Sequence, residues 1–531
     1  MITITATQAS QRLHSGAEIA FLDLREAGEF GEAHPLFAIP APFSQLELSI
    51  ARLVPHLAAP IMLLDGGDGI SQRGAARLEA LGYSDVSVIA DGMPGWRAAG
   101  LGVYKGVNVP SKTLGELAEH VWHPDMLTPE ALADWQRDQT PFLFYDARPP
   151  AEYAKMRVPG ARCLPNGELA HRITTQTTVD GPPVVITCAG RTRGIIGAIG
   201  LRLSGFQGPV FALENGTQGW ALAGETLERG NPVAPYPRLT ADDMAASHRG
   251  AQALAARFNI PVLNPQTATA LLQDTDRTTY LLDTRSADEA ISDPIRGAVN
   301  APGGQLVQAT DQWVGLRNAR LILCCDTGMR SAIAAFWLRQ MGYDAQILVI
   351  DDALRSGALP AGLALPHPQR LSETDAASAV AMIAASDVRV LDLRGSMAYR
   401  KEHVVGAQWA IRPRLDAVKA ALVGVRRVLM IEDTPGVAAL VVGDVYATLP
   451  EQDLPQFTVV AGGHAALAQA GAAVTQSANT PADGDAIDHL FFVHDRHDGN
   501  LAASRQYLAW ETGLIAQLSA AERAEYRLYQ P

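Results

Sequence analysis

Cys188 opens the run Cys188-Ala189-Gly190-Arg191-Thr192-Arg193-Gly194, which sets a thiol, two guanidiniums and two glycines within seven residues. Such a run suits a nucleophilic sulfur. Loop amides and the N-terminus of a following helix can cradle an anion. Together with Arg191 and Arg193 they can bring a cysteine pKa from about 8.5 to below about 7.5. The same cradle would hold a persulfide or an oxyanion. A second run, Cys325-Asp326-Thr327-Gly328-Met329-Arg330, repeats the Cys-x4-Arg spacing and offers Cys325 and Arg330 as a second site. Asp326 beside that thiol works against an anionic substrate.

These loops need a strand ahead of them and a helix behind. Pro183–Thr187 is a continuous apolar run of the kind buried in a parallel sheet, and Ile195–Ser204, closed by Gly205, reads as the helix. A ligand site at the carboxyl ends of parallel strands follows from that order. The unit recurs. Asp-x-Arg closes an earlier strand at Asp23, Asp146, Asp283 and Asp392, and a second apolar run ends at Asp65, Cys188, Cys325 and Glu432, separations of 42, 42, 42 and 40 residues. Helices such as the one opened by Thr128-Pro129 alternate with the strands, which predicts open, mainly parallel α/β sheets. The expected units are 1–107, 108–237, 238–364 and 365–474, with a linker and helical tail at 475–531. The apolar face of Leu501–Arg527 needs another domain to cover it.

The bulk properties agree. A chain of 531 residues exceeds one hydrophobic core. A net charge of −13 argues against non-specific nucleic-acid binding and asks any anionic substrate for a local cationic pocket. No apolar run reaches the roughly 18–20 residues of a membrane span, and the N-terminus carries no signal-peptide pattern. Four cysteines, two of them adjacent, do not make a disulfide framework, so reduced thiols in the cytoplasm are expected.

The ordered recurrence of these marks resembles the rhodanese (sulfurtransferase) family, as four tandem domains over about residues 1–473. The marks are Asp146-x-Arg148 with Glu152, the turn Pro159-Gly160-Ala161, the cysteine loop before a helix, and Gly216-x-x-x-Trp220. The resemblance implies four doubly wound domains with helices on both faces of each sheet. It also implies an enzyme that moves a sulfane sulfur from thiosulfate or a similar donor, through a persulfide on Cys188, to a thiol or cyanide. Arg191 and Arg193 would orient the donor. Ala189, Gly190, Thr192, Gly194, Asn215, Gly216 and Trp220 would line the site. Arg148 would pair with Glu152 to fix its turn. No metal or organic cofactor is called for, nor a nucleic-acid or membrane partner; self-association is left open.

Asp65 and Glu432 replace the nucleophile in the first and fourth units, which reads as scaffold or partner recognition, a metal role for Asp65 and Asp68 being the weaker alternative. Cys163 and Cys324 read as core. Lys112 could bring charge to Cys188, and His494–Asn500 has metal-ligand residue types without a trusted spacing. The chief alternative function is a carrier that relays persulfide between partner proteins without turnover. A phosphatase or arsenate reductase fits less well, because those enzymes use a Cys-x5-Arg loop.

Overall fold

The computed structural model describes residues 2–173, 181–356, 360, 362–366, 368–386, 388–450 and 454–531. Among the described residues, four arrays of five parallel strands follow one another along the chain, and each is built in the same order. In the second unit the strands run Asp125–Leu127, Val210–Leu213, Val184–Thr187, Leu143–Asp146 and Arg162–Cys163 across the sheet. All neighbouring pairs are parallel. The central strands are apolar because helices cover both faces. One face packs Ile186, Ala198 and Leu201, the other Val185, Leu132 and Trp220. The fourth unit repeats this order with Arg427–Ile431 and Arg389–Asp392 at its centre, and it too has a core on each side.

Asp-x-Arg does the same work in all four units. The guanidinium of Arg148 donates to both Asp146 oxygens, at 2.9 and 2.6 Å, and its Nη2 reaches the Met156 carbonyl at 2.6 Å. Arg25, Arg285 and Arg394 each bind their own aspartate and the carbonyl eight residues on, those of Ala33, Asp293 and Glu402. These buried pairs tie the strand end to the helix that follows. They are structural, and the pairing of Arg148 with Glu152 expected from the sequence does not form.

The units are not beads on a string. Leu316–Arg317, from the third unit, joins the first sheet antiparallel to Ile19–Asp23. The first and third units share one continuous core with the helix Val109–Trp122. The fourth unit docks on the first through Arg412, which binds Glu47 at 2.6 and 2.7 Å and Asp444 at 3.0 Å.

The tail expected to be helical over Leu501–Arg527 is broken into Leu501–Thr512, Leu514–Gln517 and Ala520–Ala524. Leu501–Thr512 covers Gly216–Leu222 of the second unit and Val109–Trp122. Glu525 closes the tail onto the first and third units by binding His14 at 2.8 Å and Arg317 at 2.9 Å. Among the described residues no helix is long and apolar enough to cross a membrane.

Candidate active site

Cys188 stands directly after the strand Val184–Thr187, and the helix Thr192–Leu203 begins four residues later, so the loop is shorter than the expected helix start at Ile195 implied. The charge of Arg193 and the N–H groups of Gly194 and Gly190 lower the Cys188 pKa. All three favour the thiolate. Burial opposes them and is the largest effect: the residue is 2 % exposed, and its pKa is raised, not lowered. The lowered pKa expected from the loop alone is therefore corrected, because loop composition does not report how deeply the loop is buried.

The first and fourth units show what the cradle holds. Asp65 occupies the cysteine position, and its two oxygens accept the N–H groups of Gly67 and Ser71, both at 2.9 Å. These are the second and sixth residues after it, the places of Gly190 and Gly194 after Cys188. Glu432, one methylene longer, accepts from Gly436 at 3.2 Å and Ala438 at 2.8 Å. Both cradles are filled by the chain's own carboxylate. Each Asp65 oxygen is held by a backbone N–H, and no group of three or more residues able to hold a metal occurs among the described residues.

Both arginines of the loop are engaged. Arg193 forms a two-bond pair with Glu152, each bond 2.7 Å, and touches Gln305 of the third unit at 3.5 Å. Arg191 turns to the helix Val109–Trp122, where it binds Glu116 at 2.7 and 3.1 Å and also Glu119. Its other contact is Asn215, at 3.4 Å. Neither guanidinium is free of a carboxylate.

The remaining loop residues tie the site together. The Ala189 carbonyl accepts from the Thr217 hydroxyl at 3.2 Å and the Gln218 amide side chain at 3.1 Å. Gly216 has φ of +54°, and a Cβ there would meet the Cys188 carbonyl oxygen at 2.2 Å, so this close approach requires glycine. Thr192 donates to Glu511 of the tail at 2.9 Å. Trp220 is set in the core, its indole N–H donating to the Thr226 carbonyl, and does not wall the cleft.

The tail residues are the part that sequence reading missed. Tyr507 and Glu511 press on Gly190, and Arg496 lies 4.6 Å from the Tyr507 ring centre. Lys112 is buried beside them, its ammonium bonded to the Val107 carbonyl at 2.8 Å and 4.6 Å from the Trp510 ring. Burial lowers its pKa to about 7. The available signal was the tail helix's apolar face with no partner within its own segment.

Cys325 lies at the end of Arg320–Cys325 and is 0 % exposed. Arg330 is enclosed by three carboxylates, Glu168 at 3.0 Å, Glu289 at 2.6 Å and Asp326 at 2.8 Å. The helix Ala241–Arg257 seals the loop: Ser247 Oγ meets Thr327 Oγ1 at 3.0 Å, and His248 meets the Thr327 carbonyl at 2.9 Å. Burial raises the Cys325 pKa. Cys163, pushed up to about 12 by burial, and Cys324 are core thiols, and all four cysteines are free.

The family model described as "Rhodanese-like domain" matches residues 5–99, 128–223 and 264–356. The fourth unit is not matched, although it shares the strand order. The crystal structure of a thiosulfate sulfurtransferase from Pseudomonas aeruginosa is 34% identical over 100% of both chains, with a TM-score of 0.90. The solution structure of a rhodanese-like domain from an Anabaena protein is 21% identical over 20% of this chain and 80% of its own, with a TM-score of 0.19. No curated protein matches the chain.

Proposed function

The chain belongs to the rhodanese-like domain family, and on that premise we propose that it is a sulfurtransferase with Cys188 as nucleophile and sulfur carrier. The observation that carries this reading is the anion cradle around Sγ, whose counterpart in the first unit holds a carboxylate through the equivalent amides.

The donor is thiosulfate or a similar anion bearing a sulfane sulfur. The Cys188 thiolate attacks that sulfur. The new S–S bond forms on Sγ while the bond to the sulfonate breaks, and its electron pair leaves with sulfite. The amides of Gly190 and Gly194 then hold the persulfide as they held the thiolate, with Arg193 supplying the nearest full positive charge. Arg191, bound to two glutamates, positions the loop against the helix Val109–Trp122. A thiol or cyanide then removes the outer sulfur. A cleft of about 520 Å³ between the second and third units is lined by Pro149, Pro150, Tyr236 and Gln305 among others, and Gln305 lies 3.5 Å from Arg193.

Cys325, whose loop is crossed by the helix Ala241–Arg257 and whose one arginine faces three carboxylates, has a structural role. The fourth unit is a further rhodanese-like copy, and the first and fourth units act as scaffold. The setting is a reducing, cytoplasmic one. Thiosulfate plus cyanide should yield sulfite and thiocyanate, and loss of that turnover in Cys188→Ser is the test.

A further inference from the structure

The tail helix Leu501–Thr512 brings a carboxylate to the Cys188 loop from the far end of the chain. Glu511 is 1 % exposed. Its Oε1 accepts the Thr192 hydroxyl at 2.9 Å, whereas Oε2 is buried with no hydrogen-bond partner. That oxygen faces Gly190, where a Cβ would meet it at 3.0 Å. Gly190 is also a residue whose N–H lowers the Cys188 pKa, and the charge of Glu511 itself acts on that sulfur, so the unmatched oxygen and the sulfur share one loop. An acceptor atom kept dry and unbonded is costly. Beside a nucleophile, it points to a hydrogen-bond donor that arrives with a substrate.

Resting on the sulfurtransferase reading above, we propose that Glu511 is the proton acceptor for a thiol that takes the sulfur from Cys188. In that step the persulfide anion left when sulfite departs first takes up a proton from solvent, and the acceptor R–SH then attacks its outer sulfur. The bond from R–S to the outer sulfur forms, and the bond from the outer sulfur to Sγ breaks with its electron pair left on Sγ. The proton of R–SH passes to Glu511 Oε2. R–SSH, the Cys188 thiolate and a protonated carboxyl thus replace R–SH, the Cys188 persulfide and a carboxylate, with net charge unchanged.

The groups around Glu511 set its proton affinity. Burial raises it and so does Glu116, while Lys112, Arg191 and the Thr192 hydroxyl lower it, and Tyr507 and Cys188 complete the surroundings. A carboxylate held up by burial is a better base than a free one. Cyanide, in contrast, brings no proton when it attacks as the anion, so this route separates the two acceptor types.

The test uses the full-length enzyme, charged with thiosulfate, freed of sulfite, and discharged by dithiothreitol or by cyanide. In Glu511→Gln, discharge to dithiothreitol at about pH 7 should slow about 10²-fold. Glu511→Asp should recover part of the rate. The defect should fade as pH rises through the thiol pKa, about 8.5 for an ordinary thiol, because the thiolate needs no base. Discharge to cyanide at about pH 10 should change far less than discharge to dithiothreitol at about pH 7, because the anion brings no proton to be taken, although loss of the Glu511 charge also acts on Cys188. Equal slowing with both acceptors, or slowing with neither, would overturn the assignment. Absence of any persulfide on Cys188 in the unaltered enzyme would instead contradict the underlying sulfurtransferase reading.

Discussion

Arg193 and Glu152 face each other through two parallel bonds of 2.7 Å, and the guanidinium so held is the one whose charge acts on the Cys188 sulfur. The pair orients the arginine beside the cradle and spends part of its charge. Glu152 is half-buried and held below the usual carboxylate range: burial raises it, but the hydrogen bonds and charge of Arg193 outweigh that.

Replacing Glu152 with Gln should therefore have two separable effects. The lost charge-assisted pair should cost about 1 kcal/mol, a figure kept small because Glu152 is 41 % exposed in its side chain. The Arg193 charge, no longer balanced, should lower the Cys188 pKa. Denaturant unfolding measures the first, and the pH dependence of Cys188 alkylation measures the second, with its midpoint expected to move to lower pH.

Because burial raises the Cys188 pKa, the sulfur is a neutral thiol below that pKa and gains thiolate as pH rises through it. Charging by thiosulfate should accelerate from neutral into alkaline solution. Single-turnover sulfite release against pH checks this; a rate independent of pH from about 6 to 9 would mean that the thiolate is already formed at neutrality.

Asp65 is the chain's own occupant of an anion cradle. In Asp65→Ala the N–H groups of Gly67 and Ser71 lose their acceptor, and stability should fall by about 1–3 kcal/mol. Sulfate should then raise the melting temperature of the variant more than that of the parent, since it can refill the cradle. Turnover at Cys188 should be unaffected.

Arg330 holds Glu289 and Asp326 far below their usual range, each at about 2, against the desolvation that would raise them. Depressed carboxylates contribute stability that is present above their unfolded values of about 4 and is lost as pH falls through the folded ones. Melting temperature should drop steeply between about pH 4 and pH 2. Arg330→Met, leaving three carboxylates around a neutral side chain, should cost about 3–5 kcal/mol at neutral pH and remove much of that acid slope.

The strand-end position and the loop were legible in the sequence because both are local: an apolar run, a cysteine or carboxylate, then glycines and a helix start. The Asp-x-Arg repeat was equally visible, and its role in fixing the turn was seen, but its partner was not. Arg148 takes its own Asp146, and Glu152 goes to Arg193, a choice made only when the loop and the turn meet in space. Reactivity was harder still. The Cys188 pKa is set first by burial, and its loop is met at Gly190 by Tyr507 and Glu511, more than 300 residues along the chain, which no loop motif encodes. Cys325 shows the same limit from the other side: its loop reads as a competent one, but the helix Ala241–Arg257 packs across it.

The central claim is that one sulfur, that of Cys188, carries the transferred atom. Intact mass after incubation with thiosulfate, on the parent, Cys188→Ser and Cys325→Ser proteins, tests it most directly. A gain of one sulfur atom in the parent and in Cys325→Ser, lost in Cys188→Ser together with thiocyanate formation, is the predicted result. Retention of the added sulfur and of turnover in Cys188→Ser would contradict it.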